Sequence, residues 1–272
     1  MSTHTPAAHE VIAANIAAAS ENKIHDNAIA QRLGYRGALV PGVAVYAYMA
    51  HMPVARWGRA WLERGVAECK FRKPVYDGAR VRVTAAEDGD TLALAAESEG
   101  AQCATGFAGI ASGPHAVPEL APMPERPPPA QRPKASETSL AAGLWLGIAP
   151  LTIDDAMLSA YLDAVSETDP LYRAEGLVHP GQILQLANRA LLENVVLGPW
   201  IHLHSKIRHH AAAHVGERLT LRAKIVANTA VKGHATVEFD AVVIADGRTV
   251  IAEIGHQAIW QPRQLIENSG AE

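Results

Sequence analysis

Blocks of alternating apolar and polar positions recur along the chain, as in V-R-V-T (Val81–Thr84) and L-T-L-R (Leu219–Arg222). Side chains two apart share one face of a strand, so this period predicts half-buried antiparallel strands. Four are expected in the first part, at Val66–Lys73, Ala79–Glu87, Thr91–Ser98 and Gln102–Ala111. Four more follow at Trp200–His209, Arg218–Asn228, Gly233–Ala245 and Thr249–Trp260. The Asp-Gly pairs in Glu87–Asp90 and Ala245–Arg248 are hairpin signals. Two apolar helical runs, V-A-V-Y-A-Y-M-A-H-M after Gly42 and Q-I-L-Q-L-A-N-R-A-L-L after Gly181, predict long buried helices. Shorter helices are expected at Ala7–Ala19 and Ile153–Val165.

The two sets of elements form one series repeated. Each has a helix, the pair Ser-Glu (Ser20-Glu21 and Ser166-Glu167), an irregular loop, a G-A-L-V-P-G or E-G-L-V-H-P-G step, a buried helix and strands. Gly42 and Gly181 lie 139 positions apart (181 − 42), and Gly78 and Gly216 lie 138 apart (216 − 78). So steady an offset is the mark of an internal repeat. Between the copies the chain is dense in proline, which cannot continue a helix or a central strand. The expected division is a first half at 1–112, a linker at 113–138, a second half at 139–265 and a tail at 266–272. One antiparallel sheet wrapped around one apolar helix, made twice, is an α+β architecture.

Composition narrows the function classes. A net charge of −4 argues against a broad nucleic-acid-binding surface. The N-terminus lacks the basic-then-apolar order of a signal peptide, and no apolar run is long enough to span a bilayer. A cytoplasmic protein with no membrane partner is expected. With two cysteines, Cys69 and Cys103, a disulfide framework is not expected, and both read as small buried hydrophobes.

The layout resembles the double hot-dog members of the MaoC-like (R)-specific enoyl-CoA hydratase and dehydratase group, over nearly all of the chain outside the linker and tails. The motif of that group has the form D-x-N-P-(L/I)-H-x-D, followed by an (A/V)-H-G step into the buried helix. Asn22, Ile24, His25 and Asn27 match it, and G-A-L-V-P-G supplies the step. Ser20 stands at the place of the catalytic aspartate, Lys23 at that of the proline and Pro41 at that of the histidine of H-G. In the second copy Glu167 falls at the aspartate place, Asp169-Pro170-Leu171 follow, and Tyr172 replaces the histidine. The resemblance implies two antiparallel sheets, each around a central helix, and a lyase acting on an acyl thioester.

Adding water to an enoyl thioester needs a base, an acid for Cα and donors for the enolate oxygen. His25 is the candidate acid/base, since its ordinary pKa lies near neutrality. Asn22 could hold a water or cap the loop. Gly42, with the amides of Val43 and Ala44, is the candidate oxyanion site, because a helix start favours negative charge. Glu21 and Asp26 are the nearest carboxylates. Glu167, Tyr172, His179 and Gly181 outline a second, altered site. Arg36, Lys70, Arg72 and Lys73 form a basic rim suited to phosphates of coenzyme A or a phosphopantetheine arm, or else a solvated strand face. The thioester would bring its own carrier, so no further cofactor is expected.

The histidines of I-H-L-H-S-K-I-R-H-H-A-A-A-H could in principle hold a metal, but no carboxylate or cysteine accompanies them, and a polar face at an interface is expected instead. Two functions stay open: a hydratase or dehydratase, and a non-catalytic double hot-dog that binds an acyl ligand or a partner subunit. A thioesterase fits less well, because neither buried helix carries a carboxylate in its first two turns. Homodimer formation or pairing with another subunit is left open.

Overall fold

The computed structural model describes residues 6–113 and 116–265, so the tail at 266–272 and two linker positions lie outside the described residues. The first copy runs β1 (His9–Ile12), a 3-10 turn (Lys23–His25), α1 (Asn27–Arg32), α2 (Gly42–Trp57), α3 (Arg59–Arg64), β2 (Gly65–Phe71), β3 (Arg80–Asp88), β4 (Thr91–Ser98) and β5 (Ala101–Ile110). The second runs β6 (Trp145–Gly147), β7 (Leu151–Thr152), α4 (Asp155–Ala164), α5 (Leu171–Glu175), α6 (Pro180–Asn194), β8 (Ile201–His209), β9 (Arg218–Val231), β10 (His234–Ala245) and β11 (Thr249–Gln261). The eight long strands begin and end close to where the alternation places them. The β3–β4 hairpin turns at Gly89 (φ +59°) and the β10–β11 hairpin at Asp246-Gly247 (φ +50° and +73°), left-handed values that Gly accepts freely and Asp tolerates.

The strands form a single antiparallel sheet in the order β1-β3-β4-β5-β2-β8-β11-β10-β9-β6, with β7 also paired to β9. The two sheets expected from the repeat are therefore joined edge to edge, through pairing of β2 with β8 (Val66↔Arg208 to Lys70↔His204). That junction hides two sheet edges that would otherwise expose unpaired backbone groups. Inside the curved sheet α2 packs against α6. α2 buries nearly every position from Val43 to Val54, as its uniform apolarity requires. Among the described residues no helix is long and apolar enough to cross a membrane.

One expectation needs correction. The stretch 7–19 is not a helix: His9–Ile12 form β1 against β3, with His9 and Val11 turned inward and Glu10 and Ile12 outward. Val-Ile is a β-branched pair, and the open edge of β3 supplies hydrogen bonds that no local pattern announces; β6 and β7 close β9 in the same way. The proline-rich segment, expected as an extended linker, is docked against β9 and β10. Leu120 and Met123 cover Val242, Ile244 and Val250. Arg222 donates to the carbonyls of Leu120 and Met123 at 2.8 Å each. The Arg126 carbonyl lies so close to Gly147 that a Cβ there would come within 1.7 Å of it.

Candidate functional site

The loop before α1 is organised by its own side chains. Asn22 caps the 3-10 turn by accepting from Ile24 N–H at 3.3 Å. Its buried carboxamide also accepts from Trp200 N–H at 3.1 Å and donates to Trp200 O at 3.0 Å. The loop of the first copy is thereby fixed to the start of β8 in the second. His25 follows one turn later, with Nδ1 2.7 Å from Leu39 O. A carbonyl only accepts, so Nδ1 carries the proton and Nε2 the lone pair. Asn22 Nδ2 lies 3.3 Å from that Nε2. Burial lowers the His25 pKa and the Leu39 bond only partly offsets this, so the ring is neutral near pH 7.

Gly42 opens α2. Pro41 gives no side-chain cap, and Ala44 N–H is bonded to Pro41 O at 2.9 Å. The unspent amides at this helix start are therefore those of Gly42 and Val43, not Ala44 as the sequence suggested; the Val43 side chain is in the core. Asn22, His25 and Gly42 share the wall of one cavity of about 280 Å³. Phe71, Trp200 and His202 line it as well, and its exposed lining residues, Arg72, Lys73 and Arg263, mark a basic mouth.

No aspartate or glutamate lines this cavity among the described residues. Ser20, at the aspartate place, accepts from Asn22 N–H at 3.1 Å and shapes the loop. Glu21 pairs with Arg132 on the surface, at 2.9 Å, and Asp26 caps α1 through Ile29 N–H at 3.0 Å. Neither substitutes for the missing carboxylate. Of the basic rim only Arg72 and Lys73 reach the cavity. Arg36 pairs with Glu99 over the face of Tyr76, and Lys70 pairs with Glu68 at 2.7 Å.

The second constellation does assemble, in the interior. Glu167 accepts from His51 Nδ1 at 2.8 Å and from Asp169 N–H at 2.7 Å, and lies 3.6 Å from His179 Nε2. Burial opposes its charge, but His179 and His51 outweigh that and hold the carboxyl well below the usual range. The His9 ring stacks on His51 at 3.9 Å, and Tyr172 fills the space beside His179, ring centroids 4.7 Å apart. The α6 start is stoppered by its own residues. His179 Nδ1 accepts from Gly181 N–H at 3.0 Å, and Gln182 accepts from His179 N–H at 3.2 Å. Gln182 N–H is bonded to His179 O at 2.9 Å, so the Gly181 and Gln182 amides, counterparts of the open pair at α2, are both consumed at α6.

The histidines on and just after β8 find separate partners rather than a common centre. His202 meets Ser205 at 2.8 Å, His204 meets Glu68 at 2.8 Å and His210 meets Glu253 at 2.7 Å. Among the described residues no group of three or more histidine, cysteine or acidic side chains could hold a metal. Both cysteines are free, and burial pushes each thiol pKa up.

Sequence reasoning missed His51, Trp200, His202 as a cavity residue, and Arg263. His51 left a trace, being the one basic side chain in the apolar run of α2 before Arg56. The others reach the site through pairing of segments far apart in sequence.

No protein-family model matches the chain, and no curated protein sequence matches it. Solved structures do resemble it. A candidate MaoC domain protein dehydratase from Chloroflexus aurantiacus superposes with a TM-score of 0.62 at 14% identity, covering 96% of this chain and 100% of its own. A conserved Mycobacterium tuberculosis protein, described as having a double hot-dog fold, gives 0.59 at 16% identity over 94% of each chain. A MaoC-like dehydratase gives 0.58 at 13% identity, over 93% of this chain and 96% of its own. At such identities it is the fold that is shared, and the chain is a double hot-dog protein.

Proposed function

We propose that the first-copy cavity binds an acyl thioester carried on coenzyme A or phosphopantetheine, and that the protein is a hydratase or dehydratase with His25 as acid and base. The observation that carries this reading is the meeting of His25 with the uncapped start of α2 in one cavity. Neutral Nε2 takes a proton from water as the oxygen bonds to Cβ, and the electron pair of the double bond moves onto the thioester oxygen. The amides of Gly42 and Val43 stabilise that oxyanion. Nε2–H then returns its proton to Cα, so one water has added and the ring is restored; dehydration is the reverse. Arg72, Lys73 and Arg263 at the mouth suit the carrier phosphates. The dehydratase descriptions of two structures with this fold agree in kind.

A second reading, binding of an acyl ligand or partner without turnover, is favoured by the missing carboxylate in the cavity wall. Crotonyl-CoA hydration by wild type and His25→Ala separates the two. The lyase reading expects turnover that falls at least about 100-fold in the variant. Turnover that survives the substitution overturns the mechanism, and saturable binding without turnover supports the second reading.

A further inference from the structure

Beneath the cavity, β8 and β11 bring together three buried side chains that the chemistry above leaves unused. Ser205 Oγ lies 2.8 Å from His202 Nε2 and 3.1 Å from His256 Nδ1. The two imidazole rings stack at 4.2 Å. The remaining nitrogen of each ring, His202 Nδ1 and His256 Nε2, is buried and has no hydrogen-bond partner. Burial, reinforced by neighbouring histidines, holds both rings neutral: His202 well below its ordinary value and His256 down to about 3.

A neutral imidazole has one N–H and one lone pair, and a hydroxyl has one proton. Accepting from both rings would leave the Ser205 proton without an acceptor, since Oγ has no other partner among the described residues. Ser205 therefore donates to one ring and accepts from the other, which leaves two arrangements. In the first, Ser205 donates to His202 Nε2 and accepts from His256 Nδ1–H, so His202 Nδ1 is an N–H and His256 Nε2 a bare lone pair. In the second, those two outer nitrogens exchange roles.

The surroundings of the outer nitrogens decide between them. The His256 ring lies against Phe239, centroids 4.9 Å apart, away from the cavity. His202 lines the cavity, and its Nδ1 would be 2.9 Å from a Cβ placed on Gly42. A sealed, unpaired N–H is rarer and costlier than a sealed, unpaired acceptor. The first arrangement leaves the bare acceptor beside Phe239 and puts the donor beside Gly42, on the ring that lines the cavity. We infer that His202 offers Nδ1–H beside the start of α2 as a third donor, with the Gly42 and Val43 amides, for the carbonyl oxygen of the acyl thioester. The identity of the ligand rests on the thioester reading above; the tautomer does not. Ser205 and His256 act as positioning residues that fix which nitrogen is protonated.

Two measurements test this. In the 15N-labelled protein, long-range 1H–15N correlation should show Nδ1–H at both His202 and His256; Nε2–H at His256 overturns the inference whatever the ligand. Ser205→Ala should release the His202 tautomer, and an unchanged His202 pattern removes Ser205 from the positioning role. Binding of crotonyl-CoA is then compared with that of but-2-enyl-CoA, the thioether without the carbonyl. Wild type should prefer the thioester by about tenfold or more. His202→Phe should lose most of that preference, read as the ratio of the two Kd values within the variant. If the variant keeps the full preference, the role of His202 is wrong and the thioester reading stands. If wild type binds neither ligand, the thioester assignment itself fails.

Discussion

Several histidines of this protein are sealed in the interior, and His209 gives the cleanest measure of what that costs in acid. It lies on β8, 4% exposed, with its ring against the edge of Trp61 at 5.0 Å and 63°, and with Nε2 unpaired. Burial, helped by His210, pushes its pKa from the ordinary 6.5 down to about 4. The unfolded chain therefore takes up the proton first as pH falls. The stabilisation from this group is complete above pH 6.5 and is lost between there and about pH 4. At pH 5 the unfolded imidazole is charged while the folded one is still neutral, which costs about 2 kcal/mol relative to pH 7.5. His256, pushed down to about 3, adds a similar loss in the same window. Urea unfolding of wild type and His209→Phe at pH 7.5 and pH 5.0 isolates the His209 share. Phenylalanine keeps the edge contact with Trp61 and removes the unpaired nitrogen, so the variant should lie within about 1 kcal/mol of wild type at the higher pH. Its loss on acidification should be smaller by about 2 kcal/mol. Equal losses in the two proteins refute the reasoning.

Other substitutions probe the two constellations separately. In Gly42→Ala the new Cβ would lie 2.9 Å from His202 Nδ1 and 3.1 Å from Phe71 Cε2. It should cost about 1–3 kcal/mol and weaken crotonyl-CoA binding, and calorimetry showing unchanged affinity would place the ligand elsewhere. Glu167→Ala leaves His51 without its acceptor and should destabilise by about 3–5 kcal/mol. Glu167→Gln keeps a carbonyl for His51 and the Asp169 amide and should cost clearly less; equal urea midpoints for the two variants contradict a charge-and-hydrogen-bond role. The double variant Arg72→Ala, Lys73→Ala should raise the Kd for coenzyme A about tenfold at low salt and flatten its salt dependence. A Kd that does not move removes both residues from carrier binding.

The sequence made the fold readable because its strands are half-buried and its central helices largely buried, and each state leaves its own period. Thr91–Ser98 was legible to the residue for that reason. His9–Ile12 was not, since four residues beside an alanine-rich stretch carry too little period to outweigh helix-forming neighbours. At the site, Asn22, His25 and Gly42 were legible because one loop and the step after it hold them within 21 positions (42 − 22 + 1). The His51–Glu167 contact spans 116 positions and Asn22–Trp200 spans 178. Only the packing of α2 beside α6 and the pairing of β2 with β8 close those distances, and no local pattern encodes either.

The Asn22 side chain has one further consequence. Its carboxamide gives a carbonyl to the Trp200 amide and takes the Trp200 carbonyl in return, the same reciprocal exchange that two residues make in an antiparallel ladder. The side chain thus impersonates a peptide group and adds one rung beside β8 without any strand being present. Aspartate lacks the N–H for such a rung, and glutamine sets its amide one carbon too far out. The orientation of the His25 ring, one turn along, is therefore written partly in the backbone of the other copy, and a shift of β8 by a fraction of an ångström would be felt at Nε2.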